Sequence, residues 1–311
     1  MGNISPTKEK IRIDRINHMA ATDREALVRE SEALYHTRIE EIARSIAADE
    51  SAKIIFIGGP SASGKTTTSL KLREALYALS VKSVAISLDN FLFNRDDLPI
   101  LPDGMIDMES IRTVDIACLH HCLEKLLTTG RCAFPLFDFV EGKRRTDTFD
   151  VEIAGDFVVI IEGIHALNPA VKPSAFRDQA KTIYVSIKSE YYEGEQVVLN
   201  TRNLRLIRRM IRDYHFRGSS ASNTLKMWSY VLAGEQENIR PYRMAADEWI
   251  DSVHAYEPLL YHHELLPILS EVDEDSPHYK KCAELIDMLR HFSDLPQSIV
   301  PENSMLREFI G

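Results

Sequence analysis

Apolar runs rich in branched residues alternate along the chain with stretches whose apolar positions recur every three or four residues. The runs predict strands at 53–58, 83–88, 157–163 and 181–187, because a strand covered on both faces is continuously apolar. The recurring stretches predict helices at about 22–48, 64–79, 113–127, 203–216, 220–237, 255–271 and 277–292. This alternation predicts an α/β fold: a doubly wound, mostly parallel sheet with helices on both faces and ligands at the carboxyl ends of the strands.

Other segments depart from this alternation. Residues 133–139 and 146–153 alternate at period two and predict a β-hairpin inserted at about 131–153, and 247–253 predicts an edge strand. Residues 1–20 are polar and weakly patterned, which predicts a loose arm. We therefore expect an N-terminal arm and helix (1–50), a central domain (51–260), and C-terminal helices with a tail packed on that domain (261–311).

Composition narrows the class of protein. The 311 residues are 44% hydrophobic and 27% charged, which is typical of a globular protein. A net charge of −10 argues against a nucleic-acid partner, because such surfaces need excess lysine and arginine. No apolar run is long enough to span a bilayer, so we expect no membrane partner. The four cysteines form no C-x-x-C pair, which favours the reducing cytoplasm.

The first predicted strand ends in a glycine-rich loop that opens a helix. Residues 59–66 fit G-x-x-x-x-G-K-[ST], the P-loop of nucleoside triphosphatases. Such a loop presents backbone N–H groups to phosphate at a helix N-terminus, while its lysine reaches the outer phosphates and its hydroxyl can bind Mg²⁺. We weigh this against a simple turn between strand and helix. The predicted phosphate contacts are Gly59, Pro60, Ser61, Ala62, Ser63, Gly64, Lys65, Thr66 and Thr67.

Two acids stand at the carboxyl ends of later strands. Asp89 follows strand 83–88, where a carboxylate can accept a proton from an attacking hydroxyl or hold metal-bound water. The alternative is an aspartate that only caps a turn. Glu162 ends strand 157–163, which places a carboxylate near Mg²⁺ opposite a P-loop. His165 follows closely, and we consider both a substrate contact and a structural role for it.

Arginines cluster in the helix predicted at 203–216. Positions 205, 208, 209 and 212 share one helix face, and Arg217 with Gly218 lies just beyond. A solvated face would interleave acids with these arginines, and only Asp213 is near. We therefore expect an arginine-rich lid at about 203–220 that faces phosphate, with a solvated helix face as the alternative.

These residues together resemble the uridine kinase and phosphoribulokinase family from about residue 50 to 260. The resemblance rests on segments 59–66, 87–91, 135–144 and 161–164 and on the arginine helix at 205–213. Segments 107–111, 162–169, 212–218 and 306–311 are similar to a bacterial branch of uridine kinase-like nucleoside kinases. That similarity extends the match to the helix at 22–48 and to the C-terminal tail.

The resemblance implies roles for individual residues. Asp89 would be the base for the nucleoside 5′-hydroxyl, and Glu109, with Asp107 close by, would hold the ribose hydroxyls. Lys65, Thr66 and Glu162 would organise the γ-phosphate and Mg²⁺. Four arginines would act on the reacting groups: Arg205 at the sugar and phosphates, Arg208 at the triphosphate, and Arg212 and Arg217 from the lid.

The hairpin departs from the family pattern. Uridine kinases carry a tyrosine and a histidine there that recognise the pyrimidine, and this chain has Phe137 and Gly142 at those positions. The resemblance implies that Phe137 still contacts the substrate. Losing these hydrogen-bonding groups puts uridine specificity in doubt, because such bonds discriminate strongly between substrates. His165, Lys143 or Arg144 could recognise the base instead.

Three functions follow from these observations. The first is an ATP- and Mg²⁺-dependent kinase of a nucleoside such as uridine or cytidine, acting alone or as a homodimer or homotetramer. The second is the same chemistry on a sugar, a sugar phosphate or a pantothenate-like acceptor. The third is a regulatory P-loop module that binds ATP without an acceptor. Asp89 and the acidic loop argue against the third function, since a switch needs neither.

Overall fold

Five parallel strands form the central sheet in a computed structural model that describes residues 9–98, 100 and 104–311. With elements numbered in chain order, the strands lie in the order β10 (Glu248–Asp251), β7 (Ala180–Ser186), β2 (Ile54–Gly58), β6 (Val158–Glu162) and β3 (Ser83–Ser87). Every residue of β2 and β6 is buried, as their continuous apolar runs predict. The parallel sheet is confirmed, and β10 lies at its edge as expected.

Helices cover both faces of this sheet. Side chains of β2 alternate between two buried clusters, with Ile55 and Ile57 in one and Ile54 and Phe56 in the other. The helices that pack around these clusters are α2 (Arg24–Ala47), α3 (Lys65–Ala78), α4 (Ile116–Thr129), α5 (Thr201–Arg217), α6 (Ala221–Gly234), α7 (Tyr261–Ser270) and α8 (Tyr279–Leu289). All seven coincide with predicted helices to within a few residues, except that the predicted helix at 255–271 begins with a 3-10 turn.

The predicted hairpin is also present. Strands β4 (Arg131–Asp138) and β5 (Lys143–Glu152) pair antiparallel, with residues 139–142 at the turn. A left-handed glycine, Gly130 with φ 71°, ends α4 and leads into β4. The hairpin therefore stands beside the sheet on the face covered by α4.

The prediction of a loose N-terminal arm is wrong for the described residues of that segment. Residues Lys10–Arg12 form strand β1, which pairs parallel with β8 (Glu190–Glu193), and Ile13–Thr22 form helix α1. Strand β8 pairs in turn with β9 (Gln196–Leu199), and neither was predicted. These short strands carry many charged and polar side chains, so they lack the apolar pattern by which strands are recognised. Residues 1–8 of the predicted arm lie outside the described residues.

The C-terminal tail ends in a short helix, α9 (Arg307–Ile310), and packs into the core. Met305, Leu306 and Phe309 have no exposed surface. The same buried cluster contains side chains of α2, α3, α5 and α8. The predicted division at residues 50 and 260 therefore crosses one continuous core, and it stays a prediction. No helix in the described ranges is both long and apolar enough to cross a bilayer.

Candidate active site

A cavity of about 930 Å³ opens at the carboxyl ends of β2, β3 and β6. The P-loop forms one wall, and the loop that carries Glu109, the turn of the β-hairpin and helix α5 form the others. Its wall includes the predicted site residues Ser61, Ala62, Lys65, Thr66, Asp89, Glu109, Glu162, His165, Arg212 and Arg217. The structure thus brings residues from five separate segments to the edge of the sheet where the topology predicts a ligand.

Both P-loop glycines are required by their surroundings. A Cβ at Gly59 would lie 2.0 Å from the carbonyl oxygen of Val185. Gly64 has a left-handed φ of 82°, and a Cβ there would lie 2.7 Å from the sulfur of Met305. Helix α3 begins directly after Gly64, so its first N–H groups point into the loop. Ser63 Oγ is buried without a hydrogen-bond partner among the described residues, as expected of a donor reserved for a ligand.

Lys65 lies at the centre of the charged groups. Its Nζ donates a 2.9 Å hydrogen bond to the carbonyl oxygen of Pro60, so the ammonium folds back over the loop. Burial lowers the pKa of Lys65, and the nearby carboxylates of Glu162, Glu308 and Asp89 oppose that effect. A triphosphate would bring further negative charge to this buried ammonium.

Glu162 and Asp89 face each other across the ends of β6 and β3. Burial and the charge of Asp89 together raise the pKa of Glu162 to about 7, although Lys65 opposes the shift. These two carboxylates and the Thr66 hydroxyl are hard oxygen donors on one cavity, and so they fit Mg²⁺. No group of three or more His, Cys, Asp and Glu side chains in the described ranges could hold a metal alone. Mg²⁺ commonly keeps several waters and binds substrate phosphate oxygens in addition to one or two carboxylates.

Glu109 projects into the cavity from the loop after β3. Burial raises the pKa of Glu109 to about 7, against the lowering effect of Arg209 and Arg205. Space for its side chain depends on Gly234, because a Cβ at that position would lie 2.3 Å from Glu109 Cβ. Asp107 shapes the turn instead, and its Oδ1 accepts from the N–H groups of Glu109 and Ser110 at 3.2 and 3.1 Å.

His165 lies on the cavity wall close to the end of β6. Its side chain is 2% exposed, and neither ring nitrogen forms a hydrogen bond of ordinary geometry with a described residue, although the backbone of Ser110 is close enough to raise its pKa. Burial and the charge of Lys65 lower its pKa to about 4, although Asp107 opposes the shift, so the ring is neutral at pH 7. A neutral imidazole offers one donor and one acceptor, which a polar ligand could satisfy.

Three arginines of α5 border the cavity, namely Arg209, Arg212 and Arg217. They share one acid, since each has a nitrogen within 3.7 Å of an Asp213 carboxylate oxygen. Arg209 Nη1 also donates to Ser61 Oγ at 2.7 Å, which joins α5 to the P-loop. One carboxylate against three guanidinium groups leaves net positive charge on this wall of the cavity, where it favours an anionic group of a ligand.

Arg208 does not reach the cavity, which corrects the prediction that it contacts the triphosphate. Its guanidinium is fully buried on the opposite side of α5, where two nitrogens donate to the Glu257 carboxylate at 2.6 and 2.7 Å. Two further hydrogen bonds go to Ser252 at 3.2 and 2.9 Å. Every donor group of Arg208 is thus directed into the core, and its role is structural.

Arg205 lies behind the P-loop. Its Nε donates to the carbonyl oxygen of Ser61 at 3.0 Å, and its Nη1 pairs with Glu235 at 2.6 Å. Its Nη2 is buried without a partner among the described residues. The structure therefore places Arg205 against the loop, with one donor still available for a ligand.

The hairpin contributes a different aromatic residue from the predicted one. Phe137 belongs to a buried core cluster and contacts Phe139 edge-on at 5.4 Å, and it is Phe139 that lines the cavity. The prediction of Phe137 as a substrate contact is therefore wrong for this structure. At Gly142, a Cβ would lie 3.0 Å from the guanidinium carbon of Arg95, which itself borders the cavity. Arg95 fills the space above the position that lacks a side chain.

The charged cavity residues Arg95 and Glu308 were not predicted as site residues, and Arg209 was placed on the arginine face without a role of its own. Arg209 shares the helix face on which the other arginines were recognised, so the pattern contained its signal. Arg95 lies in a long loop, and Glu308 comes from the tail, more than 240 residues after the P-loop. Neither position shows a spacing from which the contact could be predicted.

The chain is similar to several known proteins. The sequence profile of the Phosphoribulokinase / Uridine kinase family matches residues 54–257. A uridine kinase of Borrelia turicatae (strain 91E135) is 30% identical over 198 residues, which span 63% of this chain and 84% of that protein. A uridine kinase of Saccharomyces cerevisiae is 28% identical over 203 residues, and the chain spans 37% of its length. The solved phosphoribulokinase of Rhodobacter spheroides is 20% identical, with a TM-score of 0.46 over 64% of this chain and 69% of that one.

Proposed function

The chain belongs to the phosphoribulokinase / uridine kinase family, and we propose that it transfers the γ-phosphate of ATP to the 5′-hydroxyl of a nucleoside. It is a phosphotransferase with an alcohol group as acceptor. The observation that carries the finer proposal is the position of Asp89 and Glu162 beside Lys65 and Thr66, on the cavity that Glu109 also lines. The residues that could bind a phosphate donor and the acid that could hold sugar hydroxyls therefore line the same cavity.

The P-loop residues would hold the donor. The first N–H groups of α3 and the Lys65 ammonium face the phosphates, and burial makes the ammonium dependent on negative charge from a ligand. Thr66, Glu162 and Asp89 would hold Mg²⁺, which when bound neutralises charge on the phosphate oxygens. Arg209, Arg212 and Arg217 would neutralise charge on the transferring group from the opposite wall.

Asp89 would act on the acceptor. A carboxylate at the end of β3 can accept the proton of the attacking hydroxyl as the oxygen forms its bond to phosphorus. Glu109 would orient the acceptor through hydrogen bonds to its hydroxyl groups, with Arg205 supporting the P-loop beside it. His165 would hydrogen-bond the base, because neither of its buried ring nitrogens forms a hydrogen bond of ordinary geometry with a described residue.

A sugar phosphate is the second candidate acceptor. Arg95 packs over Gly142 and borders the cavity, where the family resemblance places a base-reading histidine. A guanidinium there suits an anionic acceptor at least as well as a neutral base, since arginine binds phosphate with two parallel hydrogen bonds.

The test is a panel of nucleosides, sugars and sugar phosphates, each supplied with Mg²⁺-ATP and scored by ADP release that depends on the acceptor. We expect release with a nucleoside, and release only with sugar phosphates would favour the second candidate. Absence of acceptor-dependent release from every compound would contradict both candidates.

With the acceptor found, Asp89→Asn tests the mechanism. The variant keeps the shape of the side chain but removes the base, so we expect turnover to fall about 10²- to 10⁴-fold. ATP binding should persist, because the P-loop is intact. Asp97→Asn, an exposed change in the following loop, is the matched control. Near-normal turnover of the Asp89 variant would remove Asp89 from the role of base.

A further inference from the structure

The C-terminal tail forms part of the P-loop's surroundings. Met305 places its sulfur against Gly64. Leu306, just before α9, and Phe309, within it, are fully buried. The ring of Phe309 also lies 5.0 Å from the guanidinium carbon of Arg208 inside the core. The backbone of the tail is thus anchored, while the side chain of Glu308 is half-buried and borders the cavity.

Glu308 binds the first turn of the P-loop helix. Its Oε2 accepts from the backbone N–H of Thr67 at 3.1 Å and from Thr67 Oγ1 at 2.7 Å. Helix α3 has no acid in its own first turn, so this charge comes from the opposite end of the chain. The N–H of Thr67 has no partner within the helix, and the helix dipole favours an anion at this position. A carboxylate therefore sits where a P-loop offers its amides to phosphate.

The same donors cannot serve the carboxylate and a phosphate together. The Thr67 hydroxyl has one hydrogen, and its N–H has one, and both point to Glu308. Glu308 also stands close enough to Glu162 to contribute to raising its pKa, so carboxylates already lie close together beside the P-loop. A triphosphate would add more charge of the same sign next to Glu308.

We propose that the Glu308 carboxylate competes with the nucleotide for the hydrogen-bond donors of Thr67. It accepts both hydrogen bonds when no nucleotide is bound, and it releases Thr67 when a triphosphate binds. Because the tail backbone is held by buried side chains, the release is a rotation of one side chain and not a movement of the tail. This inference rests on the proposed nucleotide binding. It adds an internal anion that weakens the affinity for ATP and ties it to the C-terminal tail.

The experiment measures ATP binding by calorimetry, without acceptor, for three proteins: the unmodified chain, the Glu308→Gln variant and the Glu302→Gln variant. The glutamine at 308 keeps the shape and the ability to accept from Thr67 but carries no charge. We expect the Glu308→Gln variant to bind ATP about three- to tenfold more tightly than the unmodified chain. Glu302 is an exposed acid of the same tail, so its variant is the matched control and should bind like the unmodified chain.

A second readout separates competition from a purely structural role. Without nucleotide, Glu308→Gln should unfold at a slightly lower temperature, because the helix loses an anion at its N-terminus. With saturating ATP its gain in melting temperature should exceed that of the unmodified chain. A structural residue would lower both temperatures equally.

The outcomes distinguish this inference from the proposed function. If the unmodified chain binds ATP and the Glu308→Gln variant binds ATP equally well or more weakly, the proposed competition by Glu308 is refuted. The proposed kinase function is unaffected by that result. If neither protein binds ATP, nucleotide binding itself is refuted, and the competitor with it. Binding by Glu308→Gln alone would be the strongest support.

Discussion

At the scale of single residues, Glu162 shows how burial changes the charge of a group in the cavity. Its carboxyl is buried beside Asp89, and its pKa is raised from 4.5 to about 7. In the unfolded chain the group ionises near its ordinary pKa, so between about pH 4.5 and 7 the folded protein binds more protons than the unfolded one. Stability should therefore fall as the pH rises through this interval.

Glu162→Gln tests this expectation. The neutral variant should be more stable than the unmodified chain above pH 7, by at most about 3 kcal/mol, and no more stable near pH 4. Urea unfolding at several pH values measures the difference, with the exposed Glu50→Gln as control. A difference that does not depend on pH would show that Glu162 is not the titrating group. The variant should have low kinase activity at every pH, since it lacks a proposed ligand of Mg²⁺.

At the scale of elements, helix α5 shows what a sequence pattern can and cannot predict. The helix, its bounds within two residues and its concentration of arginine were all predictable. The direction of each arginine was not, because spacing assigns side chains to faces but does not say what covers a face. Arg208 and Arg209 are neighbours in sequence, yet one is bound to Glu257 in the core and the other borders the cavity. Glu257 lies beyond β10, too far along the chain for any local pattern.

This division predicts opposite phenotypes for two adjacent substitutions. Arg208→Met leaves the Glu257 carboxylate buried without its cation, so we expect a loss of about 3–5 kcal/mol in the free energy of unfolding. Arg209→Met should cost about 1 kcal/mol or less, because Asp213 keeps two other arginines. Its turnover should instead fall about a hundredfold. Urea unfolding and kinetics of the folded fraction measure the two effects.

The double variant Arg208→Met with Glu257→Gln provides the control. It removes both charges of the pair, so it should recover part of the lost stability. If turnover of the folded Arg208→Met variant falls as much as that of the Arg209→Met variant, Arg208 does act in the active site, contrary to our interpretation.

At the scale of the whole molecule, the segments outside residues 54–257 converge behind the P-loop. Glu32 on α2 accepts from Ser304 Oγ of the tail at 2.5 Å and from the Tyr256 hydroxyl at 2.6 Å. One turn further along α2, the Tyr35 hydroxyl hydrogen-bonds Thr68 of α3 at 2.7 Å. The sequence predicted α2 as a packed helix but not what it joins, because these partners lie 33 to 272 residues away. The terminal segments thus support the P-loop helix α3.

Glu32→Gln tests whether this junction supports the site. Burial alone would raise the pKa of Glu32, but His254, Ser304 and Tyr256 outweigh it and lower the pKa to about 2. The ionised carboxylate therefore stabilises the fold above about pH 4.5, and this contribution is lost as the pH falls toward 2. We expect Glu32→Gln to cost about 3 kcal/mol at pH 7 and progressively less below pH 4.5. The exposed Glu30→Gln on the same helix is the control, and its cost should be small at every pH. A cost for Glu32→Gln that stays constant between pH 7 and pH 3 would mean that packing, and not the charge of Glu32, joins the terminal segments.

Because Tyr35 and Ser304 flank the P-loop helix and the tail that carries Glu308, the same variant should also change the affinity for ATP measured by calorimetry, whereas Glu30→Gln should not.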